Sequence, residues 1–274
     1  MEARMSTSSL RRIRIVVVKE WLDAFKNRYI LLIGILLPLV LTAVPLILLG
    51  VARTVSAQQL GVGNSLPAFL RQNPALHDLQ PGEIFQAALA NQFMLLFLIL
   101  ALPLPVAMAA YSIVGEKRDH SLEPLLATPI SIPELLLAKG LASLIPGVVS
   151  TWLCFIIYLV VARLLVLSAA VYSAIFNSTW LLAMFIVVPL LTLLSVCIGL
   201  MVSSRSNDPR AAEQLNTFVI LPILILFFSQ LLGISVVNTA TMLILAALIV
   251  IVDVVLLRLA ARLFQREKIL THWK

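Results

Sequence analysis

Six apolar stretches, each long enough to cross a bilayer, constrain this chain more than any other feature of its sequence. They run approximately from Tyr29 to Val51, Phe85 to Val114, Leu141 to Val161, Thr179 to Met201, Asn216 to Leu232 and Thr241 to Leu259. A helix rises about 1.5 Å per residue, so about 20 apolar residues match a hydrocarbon core about 30 Å thick. Composition excludes the soluble alternative. The chain is 61% hydrophobic and 12% charged, with a mean hydropathy of +1.05, and 274 residues cannot hide that fraction behind their own polar surface. The expected fold class is an all-α membrane protein with six transmembrane helices.

The connections between these stretches alternate in charge. Of the 20 Lys and Arg residues, seven lie in residues 1–28, three in 115–140, two in 203–214 and five from Arg258 to the end. The other three, Arg53, Arg71 and Arg163, fall in the alternate connections. Positive charge is retained on the cytoplasmic side, so both termini are expected there. The net charge of +7 thus reads as topology rather than as nucleic-acid binding, and the expected location is the cell (inner) membrane, multi-pass. One transmembrane domain covers 1–274, with a cytoplasmic interfacial helix at 1–28, a six-helix bundle at 29–261 and a cytoplasmic tail at 262–274. The first apolar run is too long for a secretory h-region and follows 28 basic, helix-patterned residues, so it reads as an uncleaved anchor. Cys154 and Cys197 lie inside apolar segments and form no metal-ligand spacing or disulfide framework.

In "SSLRRIRIVVVKEWLDAFKNR", Leu10, Ile13, Val17, Trp21, Ala24 and Phe25 recur at helical spacing, with six cations around them. The pattern fits a helix lying at the headgroup boundary, with Trp21 as its anchor and basic residues facing anionic lipid. A simple topogenic flank is the plainer reading.

Between the second and third crossings, "GEKRDHSLEPLLATPISIPELLLAKG" places seven charges and three prolines in residues 115–140. Ser121 suits an N-cap, followed by Leu122, Glu123 and Pro124 in a first turn where proline is tolerated and a carboxylate favours the dipole. Thr128-Pro129 ends this short helix. Ser131-Ile132-Pro133-Glu134 then has the spacing of a capping box, which starts a second helix running through Lys139 toward the third crossing. A two-turn helix is unstable alone in water, so it must pack on lipid or on a partner, and the residues themselves leave both open.

That segment resembles the membrane subunits of ATP-binding-cassette transporters of the type-2 exporter family, in which E-[KR]-x-x-G-[TS]-L-E-x-L-L-x-T-P precedes a helix bearing Glu and Lys. "KEWLDAFKNRYILL", residues 19–32, is similar to the family's entry into its first crossing. His120-Ser121 departs from the Gly-Thr of many members, and serine keeps the cap. The resemblance implies that 121–128 is a coupling helix docking on a cytoplasmic ATPase subunit. Ser121, Leu122, Glu123, Leu125, Leu126, Thr128 and Pro129 would then form the contact, flanked by Glu116, Lys117 and Arg118. It also implies a second permease copy or sister permease and outward transport, for which a hydrophobic or amphipathic cargo is the preferred expectation.

No G-x-x-x-x-G-K-[ST] occurs, so ATP and Mg are expected on the partner chain and no enzyme activity on this one. No metal site is expected. Asp253 is the acidic residue well inside a crossing, where a carboxylate is costly. With Asn91, Gln92, Asn216 and Gln230 it forms the candidate translocation path. An ion-gradient-driven secondary transporter using Asp253 is the alternative reading; no internal repeat supports it. In the second basic loop, Asp208 is expected to cap a helix with Pro209 at its first position.

Overall fold

The computed structural model describes residues 2–54, 80–118, 130–205, 208–232 and 237–263. Among these, every regular element is helical. An N-terminal helix, α1 (Glu2–Lys26), precedes the first crossing, which consists of α2 (Arg28–Leu31), a π turn (Leu32–Leu36) and α3 (Leu37–Thr54). The second crossing is α4 (Pro81–Leu100) and α5 (Pro103–Arg118), and the third is the single helix α6 (Ile132–Leu165). After a short α7 (Ala169–Ile175), the fourth comprises α8 (Ser178–Leu182), a second π turn (Ala183–Val187) and α9 (Val188–Arg205). The fifth is α10 (Arg210–Leu231) and the sixth α11 (Thr239–Leu263). Among the described residues, six helices are long and apolar enough to cross a membrane, and the chain is a multi-pass membrane protein.

The second crossing is the axis of the bundle. It is mostly withdrawn from the surface, whereas the first, fifth and sixth crossings present Leu, Ile, Val and Phe outward. That distribution suits a protein whose surrounding solvent is hydrocarbon, where helices associate by close packing rather than by hiding apolar area. Gly199 shows how close the packing is. A Cβ there would lie 2.7 Å from Ala109 Cβ and 3.0 Å from the Val106 carbonyl oxygen, so α9 meets α5 almost backbone to backbone. Toward the opposite end, Trp180 stacks on Phe155 and Tyr158 with centroids 5.4 and 5.7 Å away.

Prolines explain two of the polar joints between crossings. Proline has no N–H to give to the carbonyl four residues back, and in hydrocarbon that carbonyl needs another donor. Pro38 leaves the Gly34 carbonyl, and Ser150 Oγ of α6 donates to it at 3.2 Å. Pro105 leaves the Ala101 carbonyl, which accepts from Thr192 Oγ1 at 3.4 Å. Beside it, Asn216 Nδ2 donates to the Leu102 carbonyl at 3.2 Å, and Ser195 Oγ to Asn216 Oδ1 at 3.0 Å. The second crossing, read from sequence as one run, is therefore broken at Ala101 and Leu102 and clamped there by the fourth and fifth. In the second π turn the Val188 N–H reaches back five residues to Ala183. Trp152 Nε1 donates to the Met184 carbonyl thus skipped, at 2.9 Å.

The capping box at the start of α6 is present as expected. The Glu134 N–H donates to Ser131 Oγ at 3.4 Å and the Ser131 N–H to Glu134 Oε2 at 2.9 Å. From there the helix runs unbroken for 34 residues, about 50 Å at 1.5 Å per residue, so it projects well beyond a hydrocarbon core of about 30 Å. At the start of the fifth crossing, Asp208 accepts from the Arg210 N–H at 3.0 Å, and the helix begins at Arg210 rather than Pro209. Differences of one residue at a helix end are within ordinary fraying.

Candidate functional site

The projecting end of α6, the last turns of α5 and the helix α1 meet at one cluster of charge. Lys139 Nζ lies 2.9 Å from Glu20 Oε1, 2.9 Å from Glu116 Oε2 and 3.1 Å from the Ser112 carbonyl. The ammonium donates to Glu20 Oε1 and to the Ser112 carbonyl, while the contact with Glu116 is an ion pair without hydrogen-bond geometry. Lys19 Nζ closes the ring at 2.7 Å from Glu116 Oε1 and 3.3 Å from Glu20 Oε1. The side chains of Lys139, Glu20 and Glu116 are 2, 7 and 6% exposed. Partial burial pulls the Lys19 ammonium down, but the hydrogen bond and charge of Glu116, with the charge of Glu20, outweigh it and hold its pKa above the ordinary lysine value.

The cluster has a position as well as a charge balance. Glu116 is two residues before the end of α5, and Lys139 is two turns into α6; residues 119–129 run between them. A second pair reinforces the returning side, where Arg12 Nη2 lies 2.7 Å from Glu134 Oε1, which also accepts from Ser9 Oγ. The helices that flank residues 119–129 are thus both pinned to α1. Apolar contacts fill the seam, with Val16, Leu135 and Ala138 buried against each other and Ile13, Val17 and Ile130 beside them.

These contacts correct the reading of α1 as a helix whose apolar stripe lies on lipid. Ile13, Val17 and Ala24 face protein, while Leu10 and Phe25 of the same stripe are exposed, together with Ile15, Val18 and Leu22. Trp21, expected as a headgroup anchor, donates its indole N–H to the Ala142 carbonyl at 2.9 Å. The reason lies four residues further on, where Pro146 has no N–H to satisfy that carbonyl.

Of the coupling residues named from sequence, Ser121, Leu122, Glu123, Leu125, Leu126, Thr128 and Pro129 lie outside the described residues. Lys117 and Arg118 complete α5 in backbone, and Glu116 is placed in the buried cluster. Sequence reasoning missed Glu20 and Lys139 as its partners. The signal was present: Glu20 continues the stripe Ile13, Val16, Val17, and Lys139 the stripe Leu135, Ala138, Ala142. A charge on a helix's buried face implies a buried partner.

The five intramembrane candidates are not joined to one another by any hydrogen bond or ion pair. Asn91 Nδ2 donates within its own helix to Ala87, and Gln92 Nε2 reaches the Phe227 carbonyl of the fifth crossing at 2.8 Å. Asn216 is occupied at the Leu102 break. Gln230 and Asp253 are 3% exposed, and Gln230 Oε1 and both Asp253 oxygens lack partners. Gln86, not singled out from sequence, is fully buried and joins three crossings through the Leu49 and Leu165 carbonyls and the Leu167 N–H. Among the described residues, no group of His, Cys, Asp and Glu could hold a metal.

Compared with known families, residues 14–246 match the model described as ABC-2 family transporter protein. No curated protein matches the chain.

Proposed function

We propose that this chain, which belongs to the ABC-2 family of transporter proteins and is a permease subunit of that type, forms the translocation path of an ATP-driven exporter and receives the power stroke of a separate ATPase subunit. The observation that carries the reading is the Lys139 cluster. A push on residues 121–128 reaches the membrane only if the segment is held at both ends, and Lys139 is paired with both Glu116 and Glu20 across buried contacts. Displacing the segment then moves the ends of α5, α6 and α1 together. Close-packed crossings joined by proline-freed carbonyls carry that displacement inward, because packed interiors resist continuous deformation.

In this assignment both termini and the 119–129 segment face the cytoplasm, in keeping with their basic charge. ATP and Mg reside on the partner, and a second permease copy or a sister permease completes the path. Exposed apolar faces on the fifth and sixth crossings are available for that pairing as well as for lipid. The test is affinity purification from the native membrane with an ATPase assay, alongside Glu123→Lys/Leu126→Asp. A nucleotide-binding chain recovered with the wild type and lost with the variant is the expected result. Absence of any such chain would overturn the reading.

The second reading, transport driven by an ion gradient, is favoured by one feature, the two unpartnered oxygens of buried Asp253. It requires that Asp253→Asn abolish transport while leaving the protein folded.

A further inference from the structure

A cleft of about 520 Å³ opens on the wall of the bundle where α1 turns into the first crossing. Ile35 and Leu39 of the first crossing and Val149 and Leu153 of the third form its sides, with Trp21 and Phe25 of α1 at one end. The third crossing lines it from Ile145 to Ile157, a rise of about 18 Å at about 1.5 Å per residue. One leaflet contributes about 15 Å to a hydrocarbon core of about 30 Å. The slot is therefore about one acyl chain deep.

Its walls offer an occupant almost nothing polar. The Trp21 indole N–H is engaged by Ala142 and the Ser150 hydroxyl by Gly34. Beside the Trp21 and Phe25 end, the chain turns at Asn27, whose side chain accepts from the Tyr29 and Ile30 N–H groups, and this turn is flanked by Lys26 and Arg28. Both cations are exposed, and the nearest carboxylate to Lys26, Asp23, is 3.9 Å away.

We propose that this cleft binds one anionic phospholipid of the leaflet in which α1 lies, with an acyl chain in the slot and the phosphate at Lys26 and Arg28. A tail gains little by leaving other tails for an apolar wall, so shape sets the position and the two cations set the selectivity. The occupant wedges α1 against the first and third crossings. This site depends on the membrane fold alone and stands apart from any coupling to an ATPase.

The full chain in detergent is titrated with phosphatidylglycerol or phosphatidylcholine brominated in the acyl chain. Quenching of Trp21 is read as the difference between wild type and Trp21→Phe. Phosphatidylglycerol is expected to quench at concentrations about tenfold or more below those of phosphatidylcholine. Lys26→Gln/Arg28→Gln should erase the preference, and Val149→Phe/Leu153→Phe should remove the quenching by both lipids. Equal quenching by the two lipids in the wild type would overturn the proposal, as would a preference that survives loss of both cations. Native mass spectrometry gives a readout independent of Trp21: one phosphatidylglycerol retained by wild type and lost from Lys26→Gln/Arg28→Gln is expected, and equal retention would overturn it. Cross-linking of a cysteine placed at Val149 to a second copy would assign the cleft to a protein interface instead.

Discussion

Lys139 and Glu116 face each other at 2.9 Å from opposite ends of the loop between the second and third crossings, with both side chains almost wholly out of contact with water. Glu20 of α1 shares the same ammonium. Removing Lys139 from this cluster would leave two buried carboxylates sharing only the half-exposed Lys19.

Lys139→Met should therefore cost about 3 to 5 kcal/mol, because Glu20 and Glu116 remain buried with only the half-exposed Lys19 between them. The triple variant Lys139→Met/Glu20→Gln/Glu116→Gln should recover much of that loss. Thermal melting in detergent measures both. If the single variant melts with the wild type, the cluster is not formed in the folded protein.

Trp21 and Pro146 should behave as an interacting pair. Trp21→Phe strands the Ala142 carbonyl, whereas in a Pro146→Ala background the helix supplies its own N–H and the indole is no longer needed. A double-mutant cycle on chemical or thermal stability should yield a coupling of about 1 kcal/mol. Strict additivity would contradict the proposed reason for the hydrogen bond.

Gly199→Ala places a methyl within 2.7 Å of Ala109 Cβ and forces α9 away from α5. A loss of about 1 to 3 kcal/mol is expected. Adding Ala109→Gly should return only part of it, since the Val106 carbonyl is still 3.0 Å away. Full recovery in the double variant would show that backbone contact does not limit the approach.

Asp253→Asn removes a carboxylate that the bundle leaves without hydrogen-bond partners. Because a charge at mid-membrane depth is costly, the substitution should raise the melting temperature. Transport should persist if energy arrives from an ATPase. A folded but inactive Asp253→Asn protein would instead favour ion-gradient coupling.

The seating of α1 should hold across neutral and mildly alkaline pH. Lys19 has a folded pKa raised above the ordinary 10.5, so its contribution is full below that value and fades only as pH climbs through the higher folded value. Hydrogen exchange of α1 measured between pH 7 and pH 9, corrected for intrinsic rates, should show constant protection. Loss of protection already at pH 8 would mean that the Lys19 pKa is not held above its ordinary value.

The six apolar segments and the capping box at Ser131 and Glu134 were legible in residue order. Each depends on local chemistry: twenty apolar residues need a bilayer, and a serine three residues before a glutamate can close its cap with no help from distant chain. The break at Ala101 was less legible, because Pro103 and Pro105 bend a helix only as far as Thr192 donates to the freed Ala101 carbonyl and Asn216 to Leu102 beside it. For Trp21 the local reading pointed to lipid, since an aromatic at the edge of a basic helix has that preference until a better acceptor is brought to it.

Sequence alone determined that this chain spans a membrane six times, because hydropathy and length act through the solvent and need no partner within the fold. Only the tertiary structure decided that Glu20, Glu116 and Lys139 share one buried site. Long-range pairing of charges depends on which helix faces meet, and a one-dimensional pattern can announce a buried charge without naming what neutralises it.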